Sequence, residues 1–179
     1  MNRSLPFASC LFLAFASAAC SRDARSGNGG GLGLGGAQTP AAISSSAQVV
    51  KVTSSPVTMS QNGAVDALVT LSISPGFHIN ANPATFPYLI ATELTADKVG
   101  GVTAGTPVYP AAEKKKFQFA EQPLAVYEGE TPIKLNLRTE TNAAAGSRSL
   151  PVNVRVQACD EEQCFPPATI NTSISVTVK

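Results

Sequence analysis

The residues whose type and spacing could do chemistry are Cys159 and Cys164, in the run Cys-Asp-Glu-Glu-Gln-Cys followed by Phe165-Pro166-Pro167. Two thiols five positions apart can close a small disulfide ring when they stand on adjacent antiparallel strands, where their Cβ atoms can come within about 3.5–4.5 Å. Closing so short a loop removes little chain entropy, about 2 kcal/mol. A close pair at a sheet edge is also accessible, which suits thiol–disulfide exchange. Chemistry alone leaves a structural bond and a redox-active bond equally open. The intervening Asp160, Glu161 and Glu162 are candidates for tuning these thiols, because neighbouring carboxylates disfavour a thiolate and raise its pKa. They also read simply as a solvated turn. Two Cys and a single His do not complete a structural zinc site, and the spacing is not that of a zinc finger. We therefore expect no metal and no cofactor.

The other two cysteines fall in the first twenty residues. Arg3 opens the chain, residues 5–16 are almost wholly apolar, and Ser17-Ala18-Ala19 stand directly before Cys20. An apolar run of about a dozen residues is too short for a permanent membrane span but suits an export signal. Cleavage after Ala18 would leave Cys20 as an unpaired third thiol. A lipoprotein-type signal over residues 1–19, with Cys20 acylated as the first mature residue, removes that odd thiol, and this is the reading we adopt. Ser21 after it is the pattern of lipoproteins sent to the outer membrane, so the expected location is the periplasm, on a lipid anchor. Residues 27–36 read GNGGGLGLGG and small polar residues continue to Gln48. Residues 20–48 are thus expected to be a flexible tether that cannot bury enough surface to repay ordering.

From Val49 to Lys179 the hydrophobic period is two. Val65, Ala67, Val69, Leu71 and Ile73 alternate with more polar neighbours. So do Ile133, Leu135 and Leu137, then Leu150, Val152, Val154 and Val156, then Ile170, Ile174, Val176 and Val178. Turn signals separate the runs, among them Pro75-Gly76, Gly100-Gly101, Glu128-Gly129 and Ala145-Gly146. Seven to nine short strands over 49–179 predict an all-β domain, an immunoglobulin-like β-sandwich, with a closed barrel as the alternative. The strand ending near Val156 delivers Cys159 to a strand-to-strand corner. With 13 Lys+Arg against 12 Asp+Glu, the net charge of +1 gives no electrostatic footprint for nucleic acid.

Three stretches resemble one family. QACDEEQCFPPAT at 157–169, PGFHINANPATFPYLI at 75–90 and YPAAEKKKFQFAEQPLAVYEGE at 109–130 look like the N-terminal periplasmic domain of the thiol:disulfide interchange protein DsbD, in the same order. The resemblance implies an immunoglobulin-like sandwich with a redox-active Cys pair. That domain takes electrons from a thioredoxin-like domain and hands them to periplasmic acceptors, so the implied partners are thioredoxin-fold proteins. By the same likeness Cys164 forms the mixed disulfide and Cys159 resolves it. Phe117 or Phe119 matches the family's cap loop, whose aromatic side chain shields the pair. Alternating Phe residues can equally be core packing, and Lys114–Lys116 would then lie near the acidic loop. His78, Tyr88 and Tyr127 read as structural. The full interchange protein continues into a multi-span section and a thioredoxin-like domain. The expectation here is a free-standing, monomeric relay that borrows its reductant. The reading of another class is a non-enzymatic binding module whose disulfide is purely structural.

Overall fold

The structure is a computed structural model, and it describes residues 42–179. The expected signal, Cys20 and the Gly-rich stretch lie outside these residues. Twelve strands follow one short 3-10 turn at Ser46–Gln48. The first six are β1 (Val50–Ser54), β2 (Val57–Met59), β3 (Ala64–Ile73), β4 (His78–Asn80), β5 (Glu93–Ala96) and β6 (Val102–Ala104). The remainder are β7 (Glu113–Lys115), β8 (Leu124–Tyr127), β9 (Glu130–Thr139), β10 (Gly146–Val156), β11 (Ala158–Cys159) and β12 (Ala168–Val178).

Two four-stranded sheets, ordered β1-β3-β9-β6 and β2-β12-β10-β5, form an all-β, immunoglobulin-like sandwich. All pairs are antiparallel except β2 with β12. The alternation seen in the sequence is the cause. Val69, Leu71, Ile133, Leu135 and Leu137 from one sheet meet Leu150, Val152, Val154, Val156, Ile174 and Val176 from the other in one buried cluster. Burying such a side chain contributes about 1.5–3 kcal/mol, and a one-residue slip would turn each whole row to solvent.

A third sheet, β11-β4-β8-β7, exceeds the seven to nine strands that alternation predicts. Its members are two to four residues long, too short to display a period. It grows from the sandwich without a break. Gln157 alone separates β10 from β11, and Glu128-Gly129 separate β8 from β9. Gly129 sits at φ 59°, a left-handed conformation that glycine adopts without steric cost, and its carbonyl accepts from the Ile73 N–H at 2.9 Å.

The N-terminal boundary differs from the expected one. The polar run up to Gln48 reads as tether, yet Ser46 is fully buried. Its hydroxyl donates to the Pro166 carbonyl and accepts from the Ala158 N–H, each at 2.8 Å. Ser45 caps the turn by accepting from the Ala47 N–H. Both partners of Ser46 lie more than a hundred residues away in the chain, so local composition conceals them. Replacing Ser46 with Ala leaves the buried Ala158 N–H without an acceptor and is expected to cost about 1–3 kcal/mol, read as a lower urea midpoint. An unchanged midpoint would show that the hydroxyl does not hold this corner.

Candidate functional site

Cys159 and Cys164 stand opposite one another as an isolated antiparallel bridge. They are joined by a disulfide with Cα atoms 3.9 Å apart. The hairpin around them is closed by backbone bonds: Phe165 N–H to the Ala158 carbonyl at 2.8 Å and Asp160 N–H to the Gln163 carbonyl at 2.9 Å. The sequence dictates the turn. The Asp160 carboxylate accepts from the Glu162 and Gln163 N–H groups, both at 2.8 Å, the local bonding that makes Asp a turn residue. Ser46 ties both arms of this hairpin to the N-terminal turn, at Ala158 and Pro166. The two sulfur-bearing residues are unequal. Cys159 is fully buried, whereas Cys164 is partly exposed.

The acidic run also divides. Asp160 is a turn-former, and Glu161 lies 3.6 Å from the Lys115 ammonium. Lys115 in turn donates to Glu128 at 2.6 Å. The Glu128 hydrogen bond, ahead of the Glu161 charge, holds Lys115 above its usual range. The expected nearness of Lys114–Lys116 to the acidic loop therefore comes down to one residue, Lys115. Lys116 instead donates to the Glu121 carbonyl at 2.6 Å, inside its own loop.

That loop, residues 116–123 between β7 and β8, carries both candidate cap residues. Phe117 is 1% exposed and packs with Leu124 and Val126 in a second, smaller apolar cluster. Phe119 is 43% exposed and stacks on Phe117 with ring centroids 5.3 Å apart. The Phe117 ring stacks on His78 at 4.1 Å. His78 is the register partner of Cys159, so the loop is coupled to the cysteine hairpin through this imidazole. Phe165 meets Phe77 at 5.9 Å.

The segment 77–92 that carries His78 is fastened from several sides. Gln157, between the sandwich and the cysteine arm, accepts from Asn80 Nδ2 at 3.2 Å and from the Ile90 N–H at 3.3 Å. The Asn82 N–H donates to the Tyr127 hydroxyl, which donates to the Pro110 carbonyl. Tyr127 is buried, while Tyr88 is 76% exposed and stacked on Phe86. Residue reasoning missed Ser46, Asn80, Gln157 and Glu128. Only the burial of the whole of β4 had a trace in the sequence, in the Phe-His-Ile-Asn run.

A concavity of about 610 Å³ is lined by Ala47–Val52, Ser72–Pro75 and Ile170. None of these belongs to the cysteine hairpin. Exchange with a protein partner requires an exposed sulfur rather than a cavity, so we take the hairpin as the candidate site. Among the described residues no helix is long and apolar enough to cross a membrane.

No curated protein matches the chain. Among solved structures it is similar to the DsbD N-terminal domain of Neisseria meningitidis in its reduced form. Identity there is 19%, coverage is 62% of this chain and 77% of that one, and the TM-score is 0.42. It is also similar to the N-terminal periplasmic domain of ScsB from Proteus mirabilis, at 12% identity and TM-score 0.45, over 72% of this chain and 45% of that one. A type I cohesin from Pseudobacteroides cellulosolvens matches at 11% identity and TM-score 0.44, over 73% and 92%. The family model described as thiol:disulfide interchange protein DsbD, N-terminal, matches residues 46–175, the span that begins at the buried Ser46 and contains the whole cysteine hairpin and the 116–123 loop. The chain belongs to the DsbD N-terminal domain family.

Proposed function

We propose that this domain relays reducing equivalents in the cell envelope, through Cys159 and Cys164, between thioredoxin-fold partners. The observation that carries the reading is the asymmetry of the pair, a partly exposed Cys164 bonded to a fully buried Cys159 in a domain of this family. Exchange proceeds by attack of a thiolate on a disulfide through a mixed intermediate. Only the outer sulfur can reach a partner, and only the inner one is placed to close the ring afterwards. Cys164 is therefore the interchange sulfur and Cys159 the resolving one. Phe117 and Phe119 act as the cap over this corner, Phe117 as its buried root and Phe119 as its exposed edge. Glu161 and Lys115 supply an electrostatic latch between hairpin and cap loop. An exposed pair of this kind is screened by solvent and weak enough for a docking partner to displace.

The test is the reduction potential of the Cys159–Cys164 bond, measured by equilibrating the full chain with glutathione redox buffers. A relay requires a value less negative than about −300 mV. A more negative value would make the bond a structural staple and end the relay reading.

A further inference from the structure

We propose that His78 is the proton acceptor for Cys159 at the moment the cysteine pair closes. The inference rests on the relay reading above and adds to it the group that makes the buried sulfur reactive.

The geometry begins with the strand register. Cys164 is paired with Cys159 across the hairpin, and Cys159 with His78 across β11 and β4. Directly opposed residues on antiparallel strands raise their side chains on the same face, with Cβ atoms about 4.5–5.5 Å apart. Cys164, Cys159 and His78 thus form a row, exposed at its outer end and buried at its inner one. His78 is 1% exposed, and its Nε2 is buried without a hydrogen-bond partner. Buried polar atoms are nearly always paired, so an orphan asks for an explanation. A side chain needed only to fill space beneath Phe117 could have been apolar. Here the disulfide supplies one. While Cys159 is bonded to Cys164 its sulfur carries no proton, and reduction creates an S–H beside the imidazole.

Burial, the largest influence, holds His78 below its ordinary value near 6.5. The charged groups facing it are Glu128 and Lys115 on the β7–β8 side and Glu161 and Asp160 on the hairpin side. Their opposing signs leave burial dominant. At neutral pH the imidazole is uncharged, and the tautomer protonated at Nδ1 offers a lone pair at Nε2.

Cys164 of the reduced domain has attacked a partner disulfide, releasing one partner thiolate and forming a mixed disulfide. Cys159 then passes its proton to His78 Nε2 as its sulfur attacks the Cys164 sulfur. The Cys159–Cys164 bond forms, the bond from Cys164 to the partner breaks, and the partner sulfur leaves as a thiolate with the electron pair. The imidazolium returns its proton to that thiolate or to water. The domain is oxidised by two electrons and the partner disulfide is reduced to a dithiol.

A chromogenic aromatic disulfide separates the two events, because each releases one coloured thiolate. The test uses the full chain carrying Cys10→Ala and Cys20→Ala, reduced and then mixed with this reagent. The first release reports Cys164 and the second reports ring closure by Cys159. In His78→Gln the second release is expected to slow by about 100-fold at pH 7, with the first within about twofold of the parent. The parent's second rate should level off above the imidazole's titration, whereas that of the variant should keep rising tenfold per pH unit. An unchanged second rate and pH profile would overturn the role of His78. Absence of any first release would overturn the relay reading and this inference with it. A second measurement needs no substitution at His78. It is the only histidine in the chain, so its ring proton resonance can be followed unambiguously in the oxidised and reduced protein. The inference requires the titration to shift between the two states, and identical curves would contradict it.

Discussion

Truncating Phe117 to Ala is expected to remove about 3–5 kcal/mol of folding stability and to speed reduction of the Cys159–Cys164 bond by small thiols. Phe117 is the largest fully buried side chain of the described residues. Its ring is held between His78 at 4.1 Å and Phe119 at 5.3 Å, with Leu124 and Val126 beneath and the Lys115 ammonium 5.7 Å from its centre. Removing it opens a cavity under the 116–123 loop and strips the cover from the imidazole beside Cys159. The smaller residue leaves both the packing and the shield incomplete. Phe119→Ala, at a side chain 43% exposed, should cost less stability while still loosening the edge of the cap. Urea unfolding and the rate of reduction by dithiothreitol check the two effects. A Phe117→Ala chain as stable and as slowly reduced as the parent would deny this residue its part in the cap.

The sandwich was legible because its strands are long and half-buried. In β9, for example, Thr131, Ile133, Leu135, Leu137 and Thr139 are buried while Glu130, Pro132, Lys134 and Arg138 are exposed. That alternation needs no knowledge of partners. The third sheet was not legible, for a physical reason: β4 is buried at all three positions and β7 reads Glu-Lys-Lys, so neither shows a period of two. Their pairing is decided by neighbours far along the chain.

The site divides in the same way. The five-residue spacing of Cys159 and Cys164, with an Asp at the turn, identified the hairpin. The layout of its surroundings depends on tertiary placement. Phe117 and Phe119 look alike in the sequence, and the turn between β7 and β8 buries one and exposes the other. Ser46 lies in a run of small polar residues that resembles linker, until the long-range partners Ala158 and Pro166 give its hydroxyl a function. In the sequence His78 reads as structural, and it is buried. Only the register opposite Cys159 and the unpaired Nε2 give it chemistry.

The second large effect concerns the cysteines themselves, and it tests the relay most directly. In a full chain carrying Cys10→Ala and Cys20→Ala, the further change Cys159→Ala leaves Cys164 as the sole thiol. Partly exposed and without its resolving partner, Cys164 should attack an oxidised thioredoxin-fold protein and accumulate as a covalent adduct. The matching chain with Cys164→Ala retains only the buried Cys159 and should form no adduct, since exchange requires access to the attacking sulfur. The measurement is the mass of the product on non-reducing separation after alkylation, with the bond located by peptide mapping. The account predicts one adduct, joined through Cys164, in the first chain only. No adduct in either chain, or equal adduct through Cys159, would contradict it.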